Sequence, residues 1–544
     1  MTTRALLLLS LVPLLAMPLQ AAVAAVVEPE EVGLSGDRLG KITEFVEREI
    51  ADGNLVGTVT LVARHGKVVH FEAAGRYGLE DARPMETDAL FRIFSMTKPI
   101  TTVAAMILYE EGAFHLGDPV AKYLPELAGM QLSIDGKLVP PGSQMTIEQL
   151  MTHTAGLTNG WHIEHPVERA YRDAGLRQSP DLNAFIEKLA ALPLRFEPGT
   201  RYHYSVATDV LGALVERLSG QTLEQFFQTR IFDPLAMRDT FFNLPDDKTS
   251  RMAGSHLWNV EQQEMGPMPA GLLPPPSGVT LFSGGAGLIS TAHDYWRFCE
   301  MLRRGGSLDG ARILGPKTVQ AMTMARLTPE VRDNGATQYP ASHLYPGQSF
   351  GLGAGVITDP AQAGVISSKG EYSWGGIANT KFWIDPEEGL VVVFMTQVLG
   401  TPHSDRHRFD LKVATYQALT ELGSSSGDCS QRGAAQKDQG VNRSIDAHHH
   451  QTHPFDFERR ELKGHDQHKQ DHPVHRHVAA SAERLHSQAN VRGVKPGQRV
   501  KRVDHEQDSH THHGPAHEPR DRDVVGEVPV QHREPERDRN RRHD

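Results

Sequence analysis

The fold of this chain is decided by one stretch, Phe91-Arg92-Ile93-Phe94-Ser95-Met96-Thr97-Lys98-Pro99. Ser95 and Lys98 are three residues apart, and residues at that spacing share one face of a helix. Pro99 favours a helix that begins at Ser95, because proline fits the first turn, where amide groups have no partner within the helix. The stretch therefore predicts a lysine ammonium beside a serine hydroxyl, at a helix end whose amides and dipole favour a developing oxyanion.

This pair of side chains indicates nucleophilic catalysis. A serine hydroxyl is a weak nucleophile at neutral pH and needs a base. A lysine can be that base when burial or a neighbouring cation lowers its pKa from about 10.4 towards neutrality. A bare S-x-x-K tetrapeptide also occurs by chance. The alternative is therefore a capped helix with a surface lysine, and other parts of the sequence are needed to decide between the two.

The segments around this stretch predict an α/β fold. Residues 34–52 have the apolar spacing of an amphipathic helix, with Ser35 as its cap. Two strands follow at residues 56–63 and 67–74, with a hairpin turn between them. Residues 96–111 are helical by the same criterion.

The middle and the end of this body complete the pattern. Residues 117–275 predict helices and loops with many Pro and Gly breaks. Residues 380–384 and 390–396 predict two further strands, and residues 411–422 predict a closing helix. Strands at both ends of a helical middle predict one α/β (α+β) domain, in which a sheet carries an inserted, mainly helical region.

The amino terminus predicts export. A short positive start, an apolar run over residues 5–19 and the small-x-small pattern Ala22-Val23-Ala24 are typical of a secretory signal peptide, here residues 1–24. An uncleaved anchor is the alternative, although no later run of the sequence is long and apolar enough to span a bilayer. We therefore expect a periplasmic or secreted protein with no stable membrane anchor.

The composition changes near Gly423. Residues 424–544 hold 17 of the 29 histidines and have only Phe455 and Phe457 as aromatics. Such a segment buries too little apolar surface to offset the entropy of ordering. The sequence thus predicts a folded domain over residues 25–423 and a disordered tail after it. Three interpretations of the tail stay open: a polyelectrolyte arm, an unselected sequence and a loose metal binder.

Charge, cysteine content and missing motifs exclude several classes. The net charge of −11 argues against nucleic acid as a partner. The two cysteines, Cys299 and Cys429, make no disulfide framework. No H-E-x-x-H pattern occurs, so we expect no metal and no cofactor. No G-x-S-x-G elbow occurs either, which disfavours a Ser–His–Asp hydrolase.

Four spaced segments accompany Ser95 and Lys98, namely residues 150–157 (LMTHTAGL), 197–205 (EPGTRYHYS), 231–237 (IFDPLAM) and 284–291 (GGAGLIST). Together these segments resemble the serine β-lactamase and penicillin-binding-protein superfamily, and most closely class C β-lactamases and family VIII carboxylesterases. The resemblance covers about residues 29–421. It implies an antiparallel β-sheet flanked by helices, with an inserted helical region, and an acyl-enzyme on Ser95.

The resemblance also implies a second proton carrier. In the family a tyrosine of a Y-x-N motif works with the lysine. Tyr204 occupies that place here, with Val206 where lactamases usually carry Asn. Tyr204 would take the serine proton, or relay it to Lys98, and would later protonate the leaving group. Tyr202 is the rival tyrosine, and we expect His153 to have a structural role.

By the same resemblance, the family's K-T-G triplet falls at Trp374-Gly375-Gly376. The backbone amides of Ser95 and Ile377 would then form the oxyanion hole. The lysine and threonine that help to hold a lactam's carboxylate are replaced by an indole and a glycine, so we expect uncharged acyl or alcohol groups. The residues expected to bind the substrate are Trp374, Gly375, Gly376 and Val206. The alternative for Trp374 is a plain core residue.

These features favour a serine hydrolase that cleaves small uncharged carboxylic esters, with Ser95 as nucleophile and Lys98 and Tyr204 as general base and acid. A β-lactamase or a D-alanyl carboxypeptidase-type cell-wall peptidase is the first alternative. The triplet at residues 374–376 is the sequence feature that distinguishes these two functions from the esterase. Another chemistry on the same site, such as transesterification or D-amino-acid amide hydrolysis, and a non-catalytic penicillin-binding-like protein are the remaining alternatives. We expect a small-molecule ester, lactam or peptide as partner, and the sequence indicates no oligomeric state.

Overall fold

A computed structural model describes residues 25–335 and 344–423 of the chain. The predicted signal peptide (1–24) and the predicted tail (424–544) lie outside the described residues and stay predictions. Within the part that the structure describes, no helix combines the length and the apolar character that crossing a membrane requires.

The strands of the described residues are, in chain order, β1 (Gly57–Arg64), β2 (Lys67–Gly75), β3 (Phe91–Arg92), β4 (Leu132–Ile134), β5 (Lys137–Val139), β6 (His256–Asn259), β7 (Glu264–Pro267), β8 (Ile289–Ser290), β9 (Ser307–Leu308), β10 (Ala311–Arg312), β11 (Gln348–Phe350), β12 (Gly355–Ile357), β13 (Tyr372–Gly375), β14 (Lys381–Asp385), β15 (Leu390–Met395) and β16 (Val398–Leu399).

The α-helices of the same residues are α1 (Gly36–Ala51), α2 (Thr97–Glu110), α3 (Ile147–Met151), α4 (Pro166–Asp173), α5 (Leu182–Ala190), α6 (Ala207–Ser219), α7 (Leu223–Phe227), α8 (Ala292–Arg303), α9 (Pro316–Met322), α10 (Pro329–Gly335), α11 (Pro360–Ala363) and α12 (Ser404–Tyr416).

One antiparallel sheet joins the two ends of the domain. Its strands follow the order β11-β12-β13-β14-β15-β1-β2, and each neighbouring pair is antiparallel. β1 and β2 are connected by His65 and Gly66, both at positive φ (53° and 84°), which suits a two-residue hairpin turn. Because β15 pairs with β1, the predicted strands near both ends of the chain belong to a single sheet.

Helices cover both faces of this sheet. The side chains of β14 point alternately to one face and to the other, and so identify the helices on each. The Phe382 ring lies 5.1 Å from the ring of Tyr295 in α8. The next residue, Trp383, points the other way, and its ring centroid lies 4.7 Å from Nζ of Lys412 in α12. We call these sides the α8 face and the α12 face, and α1 packs with α12 on the latter.

A helical region lies between the strands in the chain, in which α2, α3 and α5 pack on α6. Every residue of α2 from Thr97 to Leu108 is buried, because the helix is apolar on nearly all sides and lies within the core. The predicted fold class, an α/β (α+β) domain with a helix-flanked antiparallel sheet and a mainly helical insertion, is confirmed for the described residues.

Two expectations about the elements were wrong. The region expected to hold only helices and loops also contains the hairpins β4–β5 and β6–β7. The last helix is α12, which begins at Ser404 and ends at Tyr416, rather than covering residues 411–422. Its first half is mostly polar, and its one buried polar residue there, His407, contacts Glu49, so apolar periodicity does not mark its start.

Candidate functional site

Ser95 lies in a single 3-10 turn, Phe94–Met96, immediately before α2. The α-helix thus begins at Thr97, two residues later than the sequence predicts. The turn is closed by the Met96 amide, which donates to the Ile93 carbonyl at 3.0 Å. Phe94 has a φ of 44°, a left-handed conformation that is uncommon for a residue other than glycine. The backbone just before the serine is therefore under local strain.

Lys98 is buried (5% exposed) and lies beside the serine, as its spacing predicts. Its Nζ donates to Ser95 Oγ at 3.3 Å and to the Gly285 carbonyl at 2.7 Å. The same Nζ lies 4.5 Å from the centroid of the Tyr204 ring. The lysine therefore joins three distant parts of the chain: the turn before α2, the loop before β8 and the loop before α6.

Asp209, in the first turn of α6, holds the loop that receives Lys98. Its Oδ1 accepts from the Ser283 hydroxyl at 2.5 Å and from the Gly285 amide at 3.1 Å. A side chain on Gly285 would collide with this carboxylate, since a Cβ there would lie 2.6 Å from Oδ2. Sequence reasoning missed Asp209, and the glycine-rich motif at 284–291 was the available signal that a close contact occurs there.

Tyr204 is buried in a loop that His153 holds on both sides. The His153 carbonyl accepts from the His203 amide at 2.8 Å, and its Nδ1 accepts from the Ser205 amide at 3.2 Å. The ring centroids of His153 and Tyr204 lie 4.4 Å apart, and Trp161 stacks on Tyr204 at 5.7 Å. These contacts orient the phenol from several directions.

Two other residues of the same segment, the rival Tyr202 and His203, differ from Tyr204 in their polar contacts. Tyr202 is completely buried, which raises the pKa of its phenol well above the usual value, and its hydroxyl has no hydrogen-bond partner among the described residues. His203 Nε2 lies 3.1 Å from Oε1 of Glu168, whose pKa falls to about 2 because hydrogen bonds from His203 and Thr158 outweigh its burial. The Tyr202 ring shares a neighbour with Tyr204, since its centroid lies 6.2 Å from that of His153.

Trp374 lies on β13 and contacts the phenol directly. Its indole Nε1 donates to Tyr204 Oη at 3.2 Å, and its ring packs edge-on against Phe350 with a centroid distance of 5.0 Å. Trp374 pairs with Phe382, so it points to the α8 face. It is therefore a buried residue that also makes a polar contact to a candidate catalytic group.

Gly375 points to the opposite side and pairs with Lys381. A Cβ on Gly375 would lie 3.3 Å from a terminal nitrogen of Arg408, in α12. The two cations beside Gly375, Lys381 and Arg408, thus belong to the α12 face, whereas the indole of Trp374 belongs to the side of Tyr204.

Gly376 brings the β13–β14 turn close to the nucleophile. A Cβ at Gly376 would lie 2.5 Å from the Ile93 carbonyl, so only glycine fits against the backbone two residues before Ser95. The turn continues with Ile377, whose side chain is 57% exposed. The two amides predicted for an oxyanion hole, those of Ser95 and Ile377, are thereby carried by backbone segments in contact.

The turn ends at Asn379, which a buried relay of hydrogen bonds anchors. Asn379 has a φ of 70°, and its Oδ1 accepts from Lys381 Nζ. Its Nδ2 donates to His407 Nδ1 at 2.9 Å, and His407 Nε2 donates to Glu49 at 3.0 Å. Burial, together with the charge of Lys381, lowers the pKa of His407 to about 4, so the ring is neutral and keeps Nδ1 as an acceptor.

Val206 lies at the start of α6 and is 4% exposed, within the main hydrophobic core. Its predicted part in substrate binding stays a prediction. The remaining predicted residues come together: Ser95, Lys98 and Tyr204 form one contiguous group, and the 374–377 segment adjoins it through Trp374 and Gly376. Such an arrangement can activate a hydroxyl, hold a proton and present two amides to an oxyanion.

The sequence of the described domain is similar to that of known proteins. The profile of the family described as Beta-lactamase matches residues 42–417. The chain is 33% identical to Esterase EstB of Burkholderia gladioli over 413 residues, which covers 72% of this chain and 99% of EstB. It is 29% identical to monacolin J acid methylbutanoyltransferase of Aspergillus terreus over 334 residues, covering 58% of this chain and 78% of that enzyme.

Solved structures give the same picture. EstCE1, described as a hydrolase with promiscuous acyltransferase activity, superposes with a TM-score of 0.60 at 30% sequence identity. That likeness covers 70% of this chain and 99% of EstCE1.

Proposed function

Because the chain belongs to the beta-lactamase family, we propose that it is a serine hydrolase that cleaves small uncharged carboxylic esters through an acyl-enzyme on Ser95. The observation that carries this proposal is the contiguous group of three side chains. Lys98 Nζ donates to Ser95 Oγ at 3.3 Å and lies 4.5 Å from the Tyr204 ring centroid.

The reaction begins with proton transfer. In the reacting state Tyr204 is a phenolate, and Ser95 Oγ attacks the ester carbonyl as its proton passes to Tyr204 Oη, directly or through Lys98. The Oγ–C bond forms, and the carbonyl electron pair moves onto oxygen. The amides of Ser95 and Ile377 stabilise this oxyanion, and one such donor is worth about 3 kcal/mol in other hydrolases.

Collapse of the tetrahedral intermediate completes acylation. The carbonyl re-forms, the bond to the alcohol oxygen breaks, and the alcohol leaves with the proton from Tyr204. Water then attacks the acyl-enzyme with the same groups acting in reverse, which releases the acid and restores the Ser95 hydroxyl. The Trp374 indole, which donates to Tyr204 Oη at 3.2 Å, stabilises the negative charge of the phenol oxygen before it takes the serine proton and after it protonates the alcohol.

Two features favour esters over lactams. Trp374 occupies the place of the family's K-T-G lysine and contacts Tyr204, so the substrate meets an indole there instead of an ammonium. EstB, 33% identical over nearly its whole length, is named an esterase. Acyl transfer to an alcohol is a second candidate function, supported by the descriptions of EstCE1 and the Aspergillus terreus enzyme, since an alcohol can replace water in the deacylation step.

One comparison of substrates tests the proposal. We expect the full chain to hydrolyse p-nitrophenyl butyrate much faster than a chromogenic cephalosporin, and Ser95→Ala to lower kcat for the ester by more than about 10³-fold, as loss of a nucleophile does elsewhere. Ser219→Ala, which changes a serine at the end of α6, is the matched control. Faster cephalosporin turnover would overturn the esterase assignment, and unchanged ester turnover in Ser95→Ala would overturn the nucleophile.

A further inference from the structure

A patch of apolar side chains lies beside the proposed nucleophile. Four partly buried residues, Phe94, Met268, Leu272 and Leu273, pack over a small buried cluster of Leu257, Ala378 and Leu399. We call these four residues the apolar wall. This cluster is distinct from the main core that contains Tyr204 and Trp374.

The position of the apolar wall follows from its chain neighbours. Phe94 immediately precedes Ser95, and Ala378, on which the wall packs, immediately follows Ile377. The wall thus adjoins both residues whose amides would form the oxyanion hole. The exposed side chain of Ile377 (57%) continues the apolar surface at this point.

The loop that supplies the two leucines is tied to the nucleophile's own strand. The Arg92 guanidinium donates to the Pro274 carbonyl at 2.8 Å, and Arg92 ends β3 three residues before Ser95. The Met268 amide donates to the Ser255 carbonyl at 3.0 Å, which fixes the other end of the loop. The leucines are therefore held at a defined place beside the site.

The direction of proton transfer decides which half of an ester meets this wall. The alcohol takes its proton from Tyr204, so the leaving group lies on the side of Tyr204, Trp161 and Trp374. The apolar wall lies in the other cluster, beyond the oxyanion-hole residues. The acyl half of the ester is therefore the part that contacts the apolar wall.

We propose that the apolar wall is the acyl-binding subsite, and that the preferred substrates are esters of unbranched fatty acids longer than acetate. This inference rests on the proposed function and names the acid half of its substrates. Each methylene group that the wall removes from water should raise kcat/KM by up to about fourfold. The four side chains of the wall are apolar and offer no partner to a carboxylate on the acyl chain, which is therefore disfavoured there. The nearby Arg92 guanidinium is held by the Pro274 carbonyl.

The test measures kcat/KM of the full chain for p-nitrophenyl acetate, butyrate and octanoate. We expect kcat/KM to rise from acetate to octanoate. The double variant Leu272→Ala/Leu273→Ala should lower kcat/KM for octanoate by about tenfold and leave acetate within about twofold. The double variant Leu272→Met/Leu273→Met keeps an apolar surface and should retain most octanoate activity. Leu138→Ala, at an exposed leucine of β5 that lies outside the wall, is the control.

A second series varies the alcohol at constant acyl group, with ethyl, butyl and octyl acetate. The alanine double variant should change these rates equally and little. A loss restricted to long alcohols would place the leaving group on the wall and overturn the inference, as would equal losses for acetate and octanoate. If the full chain hydrolyses none of the esters, the proposed function itself fails, whereas ester turnover without dependence on Leu272 and Leu273 defeats the acyl subsite alone.

Discussion

The protein holds two serine–lysine pairs of nearly the same geometry in two regions. Lys98 Nζ lies 3.3 Å from Ser95 Oγ on the side of Tyr204, and Lys381 Nζ lies 3.4 Å from Ser404 Oγ on the α12 face. Both lysines are buried (5% and 1% exposed), and both serines lie at the start of a helix. Distance, burial and helix position therefore do not distinguish a nucleophile from a structural serine.

The surroundings of the two hydroxyls do differ. Ser404 Oγ donates to Asn379 Oδ1 at 2.9 Å, and Lys381 donates to the same amide and to the Asn379 carbonyl. Among the described residues, Ser95 Oγ receives a hydrogen bond from Lys98 and has no acceptor for its own proton. Only the Ser95 pair has a tyrosine against its lysine. The two regions therefore differ in one respect: the hydroxyl proton of Ser95 has no acceptor among the described residues, and Tyr204, which can take it, lies beside Lys98.

Replacing each lysine in turn should give the largest difference between the regions. We expect Lys98→Met to lower kcat for p-nitrophenyl butyrate by about 10²–10⁴-fold, the range of general-base catalysis, because proton transfer from Ser95 loses its partner. Lys381→Met should change kcat by less than about tenfold, since it acts only through the anchoring of Asn379. Steady-state kinetics of both variants measures this, and equal losses would remove the distinction between the two pairs.

Two buried tryptophans offer a smaller contrast. Trp374 Nε1 donates to Tyr204 Oη, whereas Trp383 Nε1, on the α12 face, has no hydrogen-bond partner among the described residues. Trp374→Phe keeps a ring beside Phe350 but removes the donor. We expect kcat to fall about five- to tenfold, the value of one hydrogen bond of about 1–1.4 kcal/mol.

Trp383→Phe is the matched control for that change. It makes the same replacement in the same sheet, and we expect kcat to stay within about twofold even where thermal stability falls. Circular dichroism melting separates the two effects. An equal drop in kcat for both variants would mean that Trp374 acts by packing alone.

Patterns of short range made much of the fold predictable. The bounds of β1, β2, β14 and β15 lie within one residue of the sequence prediction, because their apolar runs end at clear turn residues. The neighbourhood of Ser95 and Lys98 follows from a spacing of three residues. Strands of two or three residues, such as β11 and β12, carry too little periodicity to be recognised.

Contacts across long separations could not be predicted from residue patterns alone. Asp209 and Gly285 are 76 residues apart, and Trp374 and Tyr204 are 170 residues apart. The local sequence of a glycine-rich loop does not predict which carboxylate elsewhere in the chain will accept its hydrogen bonds. The resemblance to a family supplied the place of Trp374, but only the structure shows its hydrogen bond to the phenol.

The hydrogen-bond relay of Asn379, His407 and Glu49, which anchors the Ile377 turn, gives the smallest expected effect. That effect is on the stability of the fold. His407 has a pKa of about 4 in the folded chain, because of burial and the nearby charge of Lys381, against about 6.5 when unfolded. Between these values the unfolded chain takes up a proton that the folded chain does not, so stability falls as the pH falls from about 6.5 to 4. Protonation would also remove the Nδ1 acceptor that Asn379 uses.

Melting temperatures at pH 7 and pH 4.5 test this linkage. The unmodified chain should lose several degrees more than His407→Gln, because glutamine takes up no proton in that range. His403→Gln, in the residue just before α12, should change the pH dependence of the melting temperature less than His407→Gln does, because His403 acts on the relay only through its charge. In Lys381→Met the pH range over which stability falls should end above pH 4, because removing the neighbouring charge allows the pKa of His407 to rise. If the melting temperature depends on pH equally in all four proteins, His407 takes up no proton linked to unfolding. Lys381 would then have no electrostatic effect on the relay that holds the Ile377 turn.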